Sequence, residues 1–282
     1  MTDKWNAIVV GAGHNGLVCA ALLAKAGKQV LVLEANEQVG GAAITREFTT
    51  GFSVSACAHL MYQLQPKVQK ELKLDLQLAS RDMSTIALAE DGKHVRIDGH
   101  SVEGVSATDQ REYRAFHKRM TRYADLLRSF FNKPPPRLGT RNAKDLVTLA
   151  QLGFDVRRLG RTEMQEFLRI IGMNIHDELQ ERFDNGLLKG ALSLDAVLGT
   201  HLGPRSPNTI MTYLYRLAGN RGRVSLPAGG MGRVSDALAH AARESGVTIR
   251  TGMPVSRIII DNGRVAGVET ANGERFDSYT VV

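Results

Sequence analysis

Gly11, Gly13 and Gly16 stand at the spacing G-x-G-x-x-G, and Glu34 follows eighteen residues after the last of them. Glycines at those intervals allow a tight turn, let the backbone approach a pyrophosphate, and let a helix press against a strand. Unpaired N–H groups at the helix start then hold the anion. A carboxylate at the place of Glu34 can accept hydrogen bonds from both hydroxyls of an adenosine ribose. It also argues against a 2′-phosphorylated nucleotide, whose phosphate would be forced against a second anion. The chemistry these residues point to is dinucleotide binding.

Such a triplet of glycines carries weight only if the right elements hold it. The apolar run Ala7–Val10 leads into it as a strand, and the Ala-rich stretch over 14–27 follows as a helix. Val30–Leu33 then reads as a second parallel strand ending at the acid. Strand, turn, helix, strand and acid together make the fingerprint specific.

Beyond Glu34 the chain runs Ala35, Asn36, Glu37, Gln38, Val39, Gly40, Gly41, Ala42, and later Thr45–Phe52 and Pro227–Gly232. With these segments it resembles the flavoprotein group of phytoene desaturases and amine oxidases, most closely its phytoene-dehydrogenase-related branch. The resemblance returns at 246–250, at Val255–Ile258 and at Val265–Glu269. It implies an α/β fold: a Rossmann-like, glutathione-reductase-like three-layer FAD domain interrupted by a mostly helical substrate domain containing a β-hairpin. It further implies FAD as cofactor. Gly11, Gly13, Asn15 and Gly16 would then lie at the pyrophosphate, and Glu34 and Ala35 at the ribose. Gly40, Gly41 and Ala42 would form part of the flavin site, Gly230 and Met231 would lie near the isoalloxazine, and the backbone of Val255 would meet the adenine. His59 falls where this group faces its substrate and is a candidate for acid/base or orienting work, with a hydrogen-bonded structural histidine as the alternative. No residue is singled out as a catalytic base.

Length and composition set the outer bounds. The 282 residues can hold two modest domains, and 43% apolar with 23% charged residues describes an ordinary globular chain. No apolar run approaches the roughly 18 residues of a membrane span. Met1–Asn6 lead directly into the first strand, so a cytoplasmic location is the expectation. Cys19 and Cys57 are far apart with no C-x-x-C pair, which removes dithiol–flavin chemistry, and no metal site is expected. The formal charge of +7 comes from bases mixed with acids rather than a basic strip with aromatics, which argues against nucleic acid. Arg157, Arg158 and Arg161 are the densest cluster, read as a solvated face or a docking patch for an anionic membrane or a partner.

Domain boundaries are expected at 63/64 and 220/221. Between them, a helix over 68–76, a hairpin over 86–97 turning at Asp91-Gly92, and a helix opened by Thr108 are predicted. Tyr113, Phe116, Met120, Tyr123, Leu126, Leu127 and Phe130 recur at helical spacing as a core seam, up to the stop at Pro134–Pro136. Further helices are predicted at 143–152, 162–171, 174–184, 187–198, 207–218 (capped by Ser206 with Pro207 in the first turn) and 231–245. Asn262-Gly263 and Asn272-Gly273 predict two successive hairpin turns.

Asp277–Val282 reads as the start of a strand returning to the parallel sheet. In the resembled group a further C-terminal portion completes the flavin and substrate sites, so the chain is read as the N-terminal part of a longer or split enzyme. The expected reaction is a desaturase- or oxidase-like transfer of hydride from an apolar or amine substrate to flavin. A non-catalytic FAD-binding or scaffold subunit assembling with a complementary C-terminal chain is the alternative, and an NAD-dependent dehydrogenase a lesser one.

Overall fold

The computed structural model describes residues 5–131, 133–139, 141–220 and 222–282. It divides into two compact units, Met1–Arg81 with Ser225–Val282, and Asp82–Val224.

In the first unit, β1 (Ala7–Val10), β2 (Val30–Leu33) and β10 (Thr248–Arg250) form a parallel sheet in the order β1-β2-β10. All four residues of β2 are buried, as expected of a parallel strand covered on both faces. Beyond β1 the chain end adds a further parallel segment: Ile8 N–H donates to the Thr280 carbonyl at 2.9 Å, and Val282 N–H to the Ile8 carbonyl at 2.9 Å. Residues 277–282 thus return to the sheet as read from the sequence. Alternation along the strands sorts two cores. Val9 and Val32 meet α1 (His14–Lys25) and α9 (Gly232–Glu244), whose alanines Ala20, Ala21, Ala239 and Ala242 let the helices approach closely. Ile8, Leu31 and Leu33 meet Val268 and Phe276 of the antiparallel meander β11 (Val255–Asp261), β12 (Arg264–Thr270), β13 (Arg275–Asp277). Helices, parallel sheet and meander are the three layers expected. Asn262 at φ 47° and Gly263 at φ 74° make the predicted positive-φ turn. The hairpin β3 (Thr45–Thr49), β4 (Phe52–Ser55), the helix α2 (Pro66–Glu71) and the pair β5 (Leu78–Ser80), β9 (Leu226–Pro227) complete the unit.

Among the described residues, the second unit holds the antiparallel sheet β6 (Thr85–Ala87), β7 (Val95–Asp98), β8 (Ser101–Glu103) and six helices: α3 (Ala107–Arg128), α4 (Ala143–Arg157), α5 (Arg161–Ile170), α6 (Ile175–Gln180), α7 (Gly186–Val197) and α8 (Thr209–Asn220). The stripe Tyr113, Phe116, Met120, Tyr123 is buried and anchors its core. Asp109, also buried, accepts the backbone N–H groups of Asp184 and Asn185 at 3.0 Å each, fastening the start of α3 to the start of α7.

Several elements depart from the sequence reading. The unit boundaries fall at 81/82 and 224/225 because Val68, Leu72, Leu74 and Leu76 pack into the first unit's core and β5 pairs with β9. Lys73, at φ 50°, ends α2 before the predicted Leu76. Ser106, not Thr108, caps α3, accepting from Asp109 N–H at 3.1 Å. The strands around Asp91-Gly92 end earlier than expected, leaving a seven-residue loop, 88–94, held by the His94 ring accepting from Ala89 N–H. Asn208 at φ 67° keeps Pro207 out of α8.

Candidate cofactor site

At the end of β1, Gly11 N–H donates to the Leu33 carbonyl at 2.8 Å, extending the β1–β2 ladder into the turn. Gly11 has φ +100°, where a side chain would be strained. The three glycines then divide their work. A Cβ on Gly16 would lie 2.2 Å from the Gly11 carbonyl oxygen, so Gly16 lets α1 press onto the turn. A Cβ on Gly11 or Gly13 would meet no protein atom within 4 Å, so both border open space. The first turn of α1 has no capping side chain and no acidic residue, and Asn15 there is exposed. Helix geometry leaves its leading N–H groups without intrahelical partners, free to receive an anion. This bare, positively polarised cradle fits the pyrophosphate of a dinucleotide.

Glu34 closes the other side. It is 5% exposed, and its Oε2 accepts the Ala12 N–H at 2.7 Å, while Oε1 accepts the Asn36 N–H at 3.0 Å and Nδ2 at 2.8 Å. Burial pushes its pKa up, but the Asn36 and Ala12 hydrogen bonds outweigh that and hold it below the usual glutamate value, so it is ionised at neutral pH. A carboxylate offers about four acceptor directions. Several of these are taken by Ala12 and Asn36. The Glu34 carbonyl accepts Met253 N–H at 2.8 Å and the Asn36 carbonyl accepts Gly252 N–H at 3.0 Å. These bonds bring the segment leading to Val255, at the head of β11, beside the acid. Ala35, next to Glu34, is exposed.

Gly40 and Gly41 lie flat against the glycine turn. Gly40 N–H donates to the Ala12 carbonyl at 2.8 Å, and a Cβ there would strike Ile44 and the Ala43 carbonyl. A Cβ on Gly41 would sit 3.2 Å from the Gly13 Cα. Gly41 and Ala42 are exposed.

The 229–232 loop is fastened to the β3–β4 hairpin. Thr45 Oγ1 accepts Gly232 N–H at 3.0 Å and donates to the Gly229 carbonyl at 3.2 Å, and Ser55 Oγ accepts Met231 N–H at 3.1 Å. The space a side chain on Gly230 would need is filled by Thr45 and Ser55, and Met231 is buried in the α1–α9 core. The glycines of this loop therefore serve its fit to the hairpin. Thr45 and Ser55 escaped the sequence reading, because nothing local marks a partner more than 170 residues away.

His59 is exposed, its ring meeting Tyr62 edge-on at 6.2 Å. Cys19 is partly exposed and Cys57 is exposed. Among the described residues no cluster of His, Cys, Asp or Glu could hold a metal, and no helix is long and apolar enough to cross a membrane. A cavity of about 580 Å³ opens between residues 72–77 and α9, away from the glycine turn.

Comparison with known proteins agrees with this geometry. The family of flavin containing amine oxidoreductases matches residues 16–282. Mouse pyridine nucleotide-disulfide oxidoreductase domain-containing protein 2 is 30% identical over 311 residues, covering 100% of this chain and 53% of that protein. One of the limonene dehydrogenase polypeptides of Castellaniella defragrans is 27% identical, covering 94% of this chain and 47% of its own length. Among solved structures, an oxidoreductase from Methanosarcina mazei superposes with a TM-score of 0.58 at 22% identity, over 99% of this chain and 58% of that one. The chain spans about half the length of the curated relatives it matches. With a family match over nearly all its residues and a bare anion cradle closed by an ionised glutamate, the chain belongs to the flavin containing amine oxidoreductases, and its cofactor is FAD.

Proposed function

We propose that this chain binds FAD at the Gly11–Gly16 turn and belongs to an enzyme that moves hydride from an apolar or amine substrate to the flavin. The observation that carries the reading is the open space at Gly11 and Gly13 facing uncapped helix N–H groups, with Glu34 ionised beside it. Bound FAD supplies the hydride-accepting ring, chemistry that side chains lack. Gly11 and Gly13 admit the pyrophosphate, and the α1 N–H groups of the turn containing Asn15 and Gly16 hold it. Glu34 accepts a ribose hydroxyl, with Ala35 beside it, and the Val255 backbone borders the adenine. Gly40, Gly41 and Ala42 keep the approach to α1 narrow. Thr45 and Ser55 position Gly230 and Met231 as one wall toward the ring end.

The substrate class rests on the relatives' names, a limonene dehydrogenase on one side and an amine oxidoreductase family on the other. Anaerobic mixing of the FAD-loaded protein with a monocyclic terpene and with a primary amine tests it. The reading expects visible flavin absorbance to bleach with one of them. Flavin that stays oxidised with both, in a preparation completed by a C-terminal polypeptide of the family, would refute it.

A second reading has the chain serve as an FAD-binding or scaffold subunit, assembled with such a complementary polypeptide. Phe48 and Phe52, which are 68% and 64% exposed on the β3–β4 hairpin, favour it. Co-expression separates the two: bleaching in the two-chain complex but not in the single chain assigns catalysis to the assembly.

A further inference from the structure

Helix α4 is apolar on two sides and packs with only one of them. Eight of its fifteen residues are apolar, yet none of them is buried. At helical spacing, Leu152 and Val156 turn toward the second unit's core and pack against it. Leu146, Val147, Ala150 and Phe154 turn the other way and are exposed, Val147 at 66% and Phe154 at 63%. A surface helix ordinarily presents charged residues there. Scattered exposed apolar residues are unremarkable, but a contiguous stripe marks a surface that binds something.

The borders of the stripe say what. Lys133, Arg137, Arg141 and Lys144 lead into the helix, and Arg157, Arg158 and Arg161 close it. Over that stretch the acids are Asp145 and Asp155, both half-sheltered. The Arg158 guanidinium lies over the Phe154 ring, 5.8 Å from its centroid, and Lys133 hydrogen-bonds Gln151 on the exposed side, so cations flank the apolar strip itself. Apolar side chains framed by lysine and arginine suit a helix lying in the headgroup layer of an anionic bilayer. Fifteen residues of helix extend roughly 22 Å, short of the roughly 30 Å hydrocarbon core, which favours an in-plane pose over a span.

We infer that α4 docks this protein onto anionic membrane surfaces, Val147 and Phe154 entering the acyl boundary and the flanking arginines meeting lipid phosphates. The inference is independent of the cofactor assignment.

Co-sedimentation of the full chain with vesicles tests it, comparing phosphatidylcholine alone with one part phosphatidylserine to three parts phosphatidylcholine. Binding is expected only to the anionic vesicles and is lost in high salt. It should weaken about tenfold or more in Arg157→Gln/Arg158→Gln and in Val147→Ser/Phe154→Ser. A Phe154→Trp variant should shift its emission to the blue and be quenched by brominated lipid, a readout that stands even if a double variant misfolds. Equal sedimentation with both vesicle types, unchanged binding by both double variants, or an unquenched Trp would overturn the proposal. So would self-association in the ultracentrifuge that Val147→Ser/Phe154→Ser disperses in a protein that ignores vesicles, because the stripe would then be a protein interface.

Discussion

Glu34 is buried and charged at once, a conflict resolved by hydrogen bonds that include those from Ala12 and Asn36. Replacing it with Gln removes a charged acceptor and should weaken FAD binding by about 1.5–3 kcal/mol, measurable by titration calorimetry. The same residue sets a pH dependence. Its pKa in the fold lies below the unfolded value, so its stabilisation is complete above the ordinary glutamate range and disappears as pH falls through the folded value. The stability gap between wild type and Glu34→Gln, followed by thermal unfolding, should therefore close on acidification below about pH 4. The glycines separate by role at this scale. Gly13→Ala should melt like wild type, because no atom lies in its way, while Gly16→Ala should lose several degrees because its Cβ would overlap the Gly11 carbonyl.

At the scale of elements, the two clamps carry the tests. Thr45→Val keeps shape but removes the hydroxyl that ties Gly229 and Gly232 to β3, and should cost about 1–2 kcal/mol in denaturant unfolding. Asp109→Ala strips two acceptors from the start of α7 and should cost about 1–3 kcal/mol. A gap below a few tenths in either case would show the bond to be solvent-replaceable. What sequence could reveal here followed distance along the chain. The β1–α1–β2 fingerprint, the Tyr113–Tyr123 seam and the Asn262-Gly263 turn depend on neighbours and were legible. The Thr45 and Ser55 clamp joins segments far apart and left no local trace. Helix starts slipped where two cap residues competed, as at Ser106 and Thr108, or where one backbone angle decided, as at Asn208.

For the whole molecule, the sequence pattern told the helical unit from the nucleotide unit but misplaced their limits. Val68, Leu72, Leu74 and Leu76 look equally apt for either core, and only packing assigns them. The α1–sheet–meander layering converges on one cradle, and we propose that FAD, the cofactor of the matched family, binds there. Calorimetric titration of FAD into the purified chain and its Gly13→Val variant tests that claim most directly, with circular dichroism confirming that both are folded. Saturable one-to-one binding by wild type is expected, and its loss in a Gly13→Val protein of unchanged secondary structure. Equal affinity in the two proteins would contradict it, since the pyrophosphate would then lie somewhere other than the Gly11–Gly16 turn.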